Sequence, residues 1–260
     1  MVVKTTLKRY ELFGWDYEHQ NPLTEKEIAW YRRFASRADG PILELACGTG
    51  RLLVILAKAG YEIEGVDLSP AMLGMAKERV SQLPPRLQRR IRLHLADMSN
   101  FQLKRKFGLC FIADNSFQEI KLPEQRIGCL KSVYNHLRSD GSFLVTVRRF
   151  DSAKYIHGKV ESPWSEPIPH PVTGDMVRRK IELRLDEGRK LVYGVMLYRT
   201  ERIDGKGDVE ECPIEFPVML EDDYISLFSR AGFSTTCFGG YEERRANERD
   251  NYLCFVCKKG

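Results

Sequence analysis

The chain has 260 residues, 43% of them hydrophobic and 30% charged. That balance is ordinary for a globular protein and large enough for one α/β domain or two small ones. The net charge is +5, with basic clusters at Arg86–Arg92, Lys104–Lys106, Arg148-Arg149 and Arg178–Lys180 and acidic residues interspersed. A nucleic-acid footprint would be denser and interleaved with aromatics, so a solvated basic surface is the better reading and nucleic acid is disfavoured as a partner. No apolar run approaches the ~20 residues needed to span a bilayer, so no membrane partner is expected. The opening stretch MVVKTTLKRYELFGWDY has no uninterrupted apolar core and no small-residue cleavage site, and the expected location is cytoplasmic.

Taken in chain order, residues 1–20 are rich in aromatics: Tyr10, Phe13, Trp15 and Tyr17. Helical spacing covers 24–38, where Thr24 and Glu27 are placed to form a capping box. Strands and helices then alternate. The pattern predicts strand 41–46, helix 50–59 closed by Gly60, strand 61–67, and helix 69–82 stopped by Pro84-Pro85. Strands 91–96 and 107–113, helix 123–137 and strand 142–148 follow. This rhythm implies right-handed βαβ crossovers and a parallel sheet. Residues 151–175 read as a proline-rich loop. The runs MVRRKIELRLDE and KLVYGVMLYRTERI, joined at Gly188, predict a β-hairpin. A helix near 221–231 and strands near 233–239 and 252–258 resume the alternation. The expectation is a single domain over 1–260, carrying an insertion over 151–212. An exposed hairpin edge would be a natural dimer contact, and the sequence leaves monomer and homodimer open.

Seven cysteines are an odd number for a disulfide framework. Cys254-Phe-Val-Cys257 has CxxC spacing, but it sits in the strand-like run YLCFVCK without a second pair. A buried strand is the better reading, and no metal is expected.

The stretch ILELACGTGRL, residues 42–52, carries the chemistry. An apolar strand runs into a glycine turn and then a helix. Gly48 and Gly50 allow positive φ and close backbone approach, and the helix start offers free N–H groups. Asp67 ends the next strand, where its carboxylate can accept both hydroxyls of a ribose. Ser69 is the better cap for the helix opening at Pro70, which releases Asp67 for a ligand. Asp97, in Ala96-Asp97-Met98, puts a second carboxylate on the same sheet edge. A dinucleotide site would have a glycine where Leu53 stands, and a phosphate loop would end in Gly-Lys-Ser/Thr. Nothing favours a bound pyrophosphate.

Together these motifs resemble the class I S-adenosylmethionine-dependent methyltransferases. Glu44-Leu-Ala46-Cys-Gly48-Thr-Gly50 looks like their first motif, with Ala46 in place of its first glycine. Asp67 matches the ribose-binding acid and Asp97-Met98 the adenine-contacting pair. The resemblance covers residues 5–150 well and the rest more loosely. It implies a Rossmann-like, doubly wound α/β fold: a mostly parallel seven-stranded sheet with helices on both faces, plus the inserted antiparallel hairpin. It also implies S-adenosylmethionine as cofactor, S-adenosylhomocysteine as product, and cofactor contacts at Tyr17, Glu44, Ala46, Gly48, Gly50, Arg51, Asp67, Leu68, Asp97, Met98 and Ala113.

The implied reaction is in-line displacement at a sulfonium methyl, with catalysis mainly from positioning. Base-modifying enzymes of this class carry Asp/Asn-Pro-Pro-aromatic at the end of the fourth strand. Here that segment reads Asp114-Asn115-Ser116-Phe117, without the prolines. The segment instead resembles a branch acting on small molecules, in which residues corresponding to 1–38 form a helical lid and the insertion covers the acceptor. On that reading Tyr10, Trp15, Asn115, Gln118 and Arg149 are substrate candidates, and the acceptor is a small polar molecule methylated on nitrogen or oxygen. No catalytic base stands out. His136 is expected on a helix surface, and His157 and His170 flank the insertion. An RNA or protein methyltransferase, a silent cofactor-binding module and a nicotinamide-binding protein are the competing readings; Leu53 and Asp97 disfavour the last.

Overall fold

The computed structural model describes residues 2–155, 158–202 and 205–260. Its helices and strands run, in chain order, α1 (Val2–Phe13), α2 (Tyr17–Gln20), α3 (Glu25–Arg37), β1 (Ile42–Leu45), α4 (Arg51–Lys58), β2 (Ile63–Asp67), α5 (Pro70–Ser81), α6 (Pro85–Gln88), β3 (Ile91–Leu95), β4 (Phe107–Ile112), α7 (Pro123–His136), β5 (Leu137–Arg148), β6 (Lys159–Glu161), β7 (Ile168–Pro169), β8 (Met176–Asp186), β9 (Leu191–Glu201), β10 (Gly207–Pro217), α8 (Glu221–Arg230), β11 (Phe233–Gly239), β12 (Glu242–Arg245) and β13 (Tyr252–Lys259). They form two compact units. The larger is built from His19–Arg149 and Met219–Gly260, the smaller from the chain up to Glu18 and Phe150–Val218.

The larger unit holds a sheet in the order β12-β11-β13-β5-β4-β1-β2-β3. Strands β1 to β5 pair in parallel, whereas β13, β11 and β12 join antiparallel. The short edge strand β12 adds an eighth strand to the seven expected. The strand order reverses at β1, with β2 on one side and β4 on the other, so a crevice opens at the carboxyl ends there.

Side chains of successive strand residues leave on opposite faces, and the core divides accordingly. Leu43, Cys110, Ile112, Val145 and Phe255 pack with α7 and α8 on one face. Ile42, Leu109, Phe111, Leu144 and Val256 pack with α3 and α4 on the other. Cys257 belongs to the first cluster and Cys254 to the second. The CxxC thiols therefore lie on opposite faces of one strand and cannot share a metal.

Thr24 caps α3, its hydroxyl accepting from the N–H of Glu27 at 3.2 Å. Trp30, Tyr31, Phe34 and Ala35 of this helix are buried in the core. The expected N-terminal segment 1–38 is thus divided. Residues up to 18 fall in the smaller unit, and α3 belongs to the core of the larger because its apolar stripe covers the sheet.

His136 corrects an expectation. It is 6% exposed, not on the surface. Its Nε2 accepts from the N–H of Leu103 at 2.8 Å and its Nδ1 lies 2.7 Å from the carbonyl of Ser132. Both ring nitrogens are committed to backbone, which fixes the end of α7 against the loop before β4.

In the smaller unit the hairpin is part of a larger antiparallel sheet, β10-β9-β8-β6, with β7 also on β8. Strand β10 runs past the expected end of the insertion at 212 and pairs with β9 along its whole length. Pro213 and Pro217 conceal it in the sequence, but an edge strand tolerates residues without an N–H. The Phe13 and Tyr198 rings stack at 3.6 Å with 2° between planes, and Arg179 reaches the buried Asp16 at 3.3 Å. The rings of Tyr10 and Tyr17 meet edge-on at 6.3 Å. Trp15 meets His170 in the same way at 5.0 Å. The Nδ1 of His170 accepts from the N–H groups of Val172 and Thr173. His157 lies outside the described residues.

Candidate functional site

The site of the larger unit starts at the end of β1. Ala46, Gly48 and Gly50 have φ of 54°, 54° and 75°. Two glycines and one alanine thus hold left-handed backbone, which costs an alanine about 1 kcal/mol. Gly50 is the N-cap of α4 and closes the turn through its N–H on the carbonyl of Cys47 at 2.9 Å. Helix α4 is apolar on most sides, with Leu52, Leu53, Val54, Leu56 and Ala57 buried.

Leu53, where a dinucleotide fold would have a glycine, is accommodated by its neighbour. A Cβ on Gly65 of β2 would stand 2.7 Å from both Leu53 Cδ1 and Cys47 Sγ. The close helix–strand approach is obtained from a glycine on the strand.

Asp67 sits at the end of β2. Its Oδ2 accepts from the N–H of Gly48 at 2.7 Å, and its Oδ1 from the N–H of Ser69 at 2.8 Å. Ser69, not Asp67, caps α5, accepting from the N–H of Met72 at 3.3 Å. Each carboxylate oxygen has a second lone pair, so Asp67 can orient the turn and still accept from a ligand. Burial raises its pKa against the pull of three backbone N–H groups. The N–H of Ala96 reaches the carbonyl of Asp67 at 3.0 Å and aligns the ends of β2 and β3. Beyond it, Asp97 accepts from the N–H of Ser99 at 2.7 Å. Met98 packs against the core and Leu68 is 38% exposed.

Glu44 points from β1 toward the α3–α4 face and is 4% exposed. Its Oε2 has no hydrogen-bond partner among the described residues. Burial pushes its pKa well up, with Asp67 and Glu27 adding to the rise and the Arg51 cation opposing it. Arg51 donates to the carbonyl of Asn21 and pairs with Asp114 at 3.6 Å.

The chain leaves β4 through the buried Ala113 into Asp114 and Asn115, both left-handed at φ 50° and 65°. Asn115 Oδ1 is buried with no partner among the described residues. Gln118 is taken up by backbone: its Nε2 donates to the carbonyl of Arg148 and its Oε1 accepts from the Arg148 N–H, both at 3.3 Å. Arg149 donates from its N–H and its guanidinium to the carbonyls of Asn251 and Asn247.

Beside this loop lies a cavity of about 390 Å3, lined by Asn21, Glu27, Asp114, Arg148, Tyr241, Arg244, Arg249 and Tyr252 among others. It stands at the carboxyl edge of the sheet: Asp114 follows β4, Arg148 ends β5, and Tyr252 opens the antiparallel β13. Arg148, rather than Arg149, lines it. Asp250 is held by the guanidinium of Arg244 and the N–H of Asn247. The Arg244 cation draws its pKa down to about 2.

A family model described as a methyltransferase domain matches residues 42–141. A protein of Geobacillus sp. (strain WCH70) classed as a methyltransferase is 30% identical over 256 residues, covering 94% of this chain and 93% of that one. A crystal structure of an S-adenosylmethionine-dependent methyltransferase from Clostridium acetobutylicum superposes with a TM-score of 0.74, at 20% identity and 100% of both chains. The chain belongs to the class I S-adenosylmethionine-dependent methyltransferases. A further relative of this methyltransferase is the dTDP-3-amino-3,4,6-trideoxy-alpha-D-glucopyranose N,N-dimethyltransferase of Streptomyces venezuelae, 29% identical over 140 residues, 52% of this chain and 54% of that one. The chain spans about half the length of that and of other curated relatives it matches.

The methyltransferase motifs were legible in the sequence. Glu27 and Tyr241 were not marked as site residues, and of the pair Arg148-Arg149 the sequence favoured Arg149 where Arg148 lines the cavity. Glu27 reads as the partner in a capping box, and the three meet only where distant segments converge on one sheet edge.

Proposed function

We propose that this methyltransferase transfers a methyl group from S-adenosylmethionine to the amine nitrogen of a small polar molecule. The observation that carries the reading is the joint placement of Asp67 and the glycine turn. One carboxylate holds the Gly48 N–H and keeps lone pairs for two hydroxyls at the crevice where the strand order reverses.

The residues fit the cofactor in four further respects. The buried Oε2 of Glu44 lacks a donor, which the ammonium of the methionine end would supply. Arg51 brings a cation to the same end for the carboxylate. Asp97 and the N–H of Met98 stand beyond the end of β3, where an adenine amino group and ring nitrogen would meet them. Leu68 and Ala113 supply apolar walls. When bound, S-adenosylmethionine provides an electrophilic methyl and departs as a neutral thioether.

The chain's own residues then have to hold the nucleophile in line and keep water out. The cavity at the carboxyl edge is the acceptor site in this reading. Nitrogen is favoured over oxygen by the similarity to an amino-sugar N,N-dimethyltransferase. Asn115, whose buried Oδ1 lacks a donor, follows the cavity-lining Asp114 and is the candidate to orient the acceptor.

Calorimetric titration with S-adenosylmethionine, S-adenosylhomocysteine and NAD tests the proposal. Micromolar binding of the first two and none of NAD is expected. Binding of NAD alone would overturn it.

A further inference from the structure

We propose that Glu27 accepts the proton that an ammonium acceptor must lose in the cavity at the carboxyl edge of the larger sheet, a role that rests on the amine-methylating function above. The sequence marks no base. Both ring nitrogens of His136 are committed to backbone, and the Nδ1 of His170 accepts from the N–H groups of Val172 and Thr173.

Glu27 has the placement. It stands in the first turn of α3, is 7% exposed, and lines the cavity with Asp114 and Arg148. Its carboxylate accepts from the Tyr241 hydroxyl at Oε1, 3.4 Å away, and the backbone of Thr24 also draws its pKa down. Neither group carries a charge, and no Lys or Arg forms an ion pair with Glu27 among the described residues. A carboxylate held only by neutral donors has capacity left for a cation.

The surroundings set its proton affinity. Asp114 faces it from the loop after β4 and Glu44 from β1, Arg51 faces it from α4, Tyr31 lies on its own helix, and Tyr241 and Cys254 come from the β11–β13 side. Lys26, Arg148, Arg244, Arg249 and Asp250 line the rest of the cavity. Burial and Asp114 outweigh the two hydrogen bonds and Arg51, and push the Glu27 carboxyl up to about 7. A carboxylate at its ordinary value near 4.5 would be a far poorer acceptor from an amine.

The step balances. The ammonium N–H bond breaks and its proton passes to a Glu27 carboxylate oxygen. The electron pair left on nitrogen forms the new N–C bond, and the pair of the breaking C–S bond stays on sulfur. The methylated nitrogen carries the positive charge that the sulfonium loses.

Carboxyl carbon NMR on the full chain labelled at Glu and Asp, in the presence of S-adenosylhomocysteine, tests the assignment without knowledge of the natural acceptor. Methylammonium chloride is the probe and potassium chloride at equal ionic strength the control. One resonance, absent in Glu27→Gln, should titrate with a midpoint of about 7. Methylammonium should lower that midpoint by about half a pH unit or more, as an opposite charge does at close range, and potassium should not. S-adenosylhomocysteine should bind both proteins within about twofold, the spread expected when no contact to it is lost. A midpoint in the ordinary carboxylate range, or one that methylammonium leaves in place, overturns the role of Glu27. Should Glu27→Gln fail to fold, Glu27→Asp identifies the resonance by its displacement into the aspartate region. Failure of wild type to bind S-adenosylhomocysteine overturns the methyltransferase reading itself, and is read from the binding curve, apart from the titration.

Discussion

The carboxylate of Asp67 accepts from the backbone N–H of Gly48 at 2.7 Å, across 19 residues of sequence, and so sets the glycine turn against the end of β2. Removing it loses that bond, the bond to the Ser69 N–H and, in the proposed cofactor site, both acceptors for a ribose. Charge-assisted hydrogen bonds contribute about 1.5–3 kcal/mol each, so Asp67→Ala should weaken S-adenosylhomocysteine binding by ~100-fold or more in calorimetry. Asp67→Asn should also weaken it, because one amide face would present an NH2 to a backbone N–H.

Gly65 makes room for Leu53 and Cys47. Gly65→Ala would place a methyl 2.7 Å from each. Overpacking of this kind costs about 1–3 kcal/mol. A lower Tm is expected, together with weaker cofactor binding, since the displaced groups belong to the turn and to the first helix after it. Gly74, whose added Cβ would meet nothing within 4 Å, is the control.

Glu27 should make stability fall as pH rises toward neutrality. Its folded pKa is raised to about 7 by burial and by Asp114, above the ordinary value of 4.5. Between those values the folded state binds more protons than the unfolded chain, so ΔG of unfolding declines with pH. Above about pH 7 the ionised group is fully penalised, by an amount on the order of 1–3 kcal/mol. Glu27→Gln should remove this slope and raise Tm at pH 8 relative to wild type, as followed by thermal denaturation across pH.

Asp250 acts with the opposite sign. Arg244 draws its pKa down from 3.8 to about 2. The pairing is stabilising above the unfolded value and is lost as pH falls through about 2. Asp250→Asn should lower Tm at pH 7 and flatten the acid limb of the stability profile. Gly239→Ala should be more severe, since its Cβ would stand 2.0 Å from Asp250 Oδ2.

The cysteines should be inert in the native protein. Cys254 and Cys257 are buried, and burial pushes both thiols up to about 12. Thiolate is the reacting species, so Ellman's reagent should titrate them only after denaturation. Zinc should produce no change in stability.

Much of this protein was determined by local sequence. The alternation of apolar strands with capped helices specifies the parallel sheet, because each period, 2 or 3.6, dictates which face is buried. Thr24 and Ser69 mark the starts of α3 and α5 through the backbone donors their hydroxyls satisfy. The glycine turn and Asp67 are legible because only certain residue types allow that backbone and that hydrogen bond.

Tertiary structure decided the rest. The exchange of a glycine from position 53 to position 65 depends on two segments meeting. The burial of His136 depends on the loop at Leu103 closing over it. Strand β10 needed β9 as its template, since two prolines hide its own pattern. Glu27 looks like a helix cap in one dimension. Its altered proton affinity arises when Asp114 and Tyr241, 87 and 214 residues further along the numbering, are brought beside it in a poorly solvated place. Electrostatics of that kind depend on distance and burial, which a linear sequence does not carry.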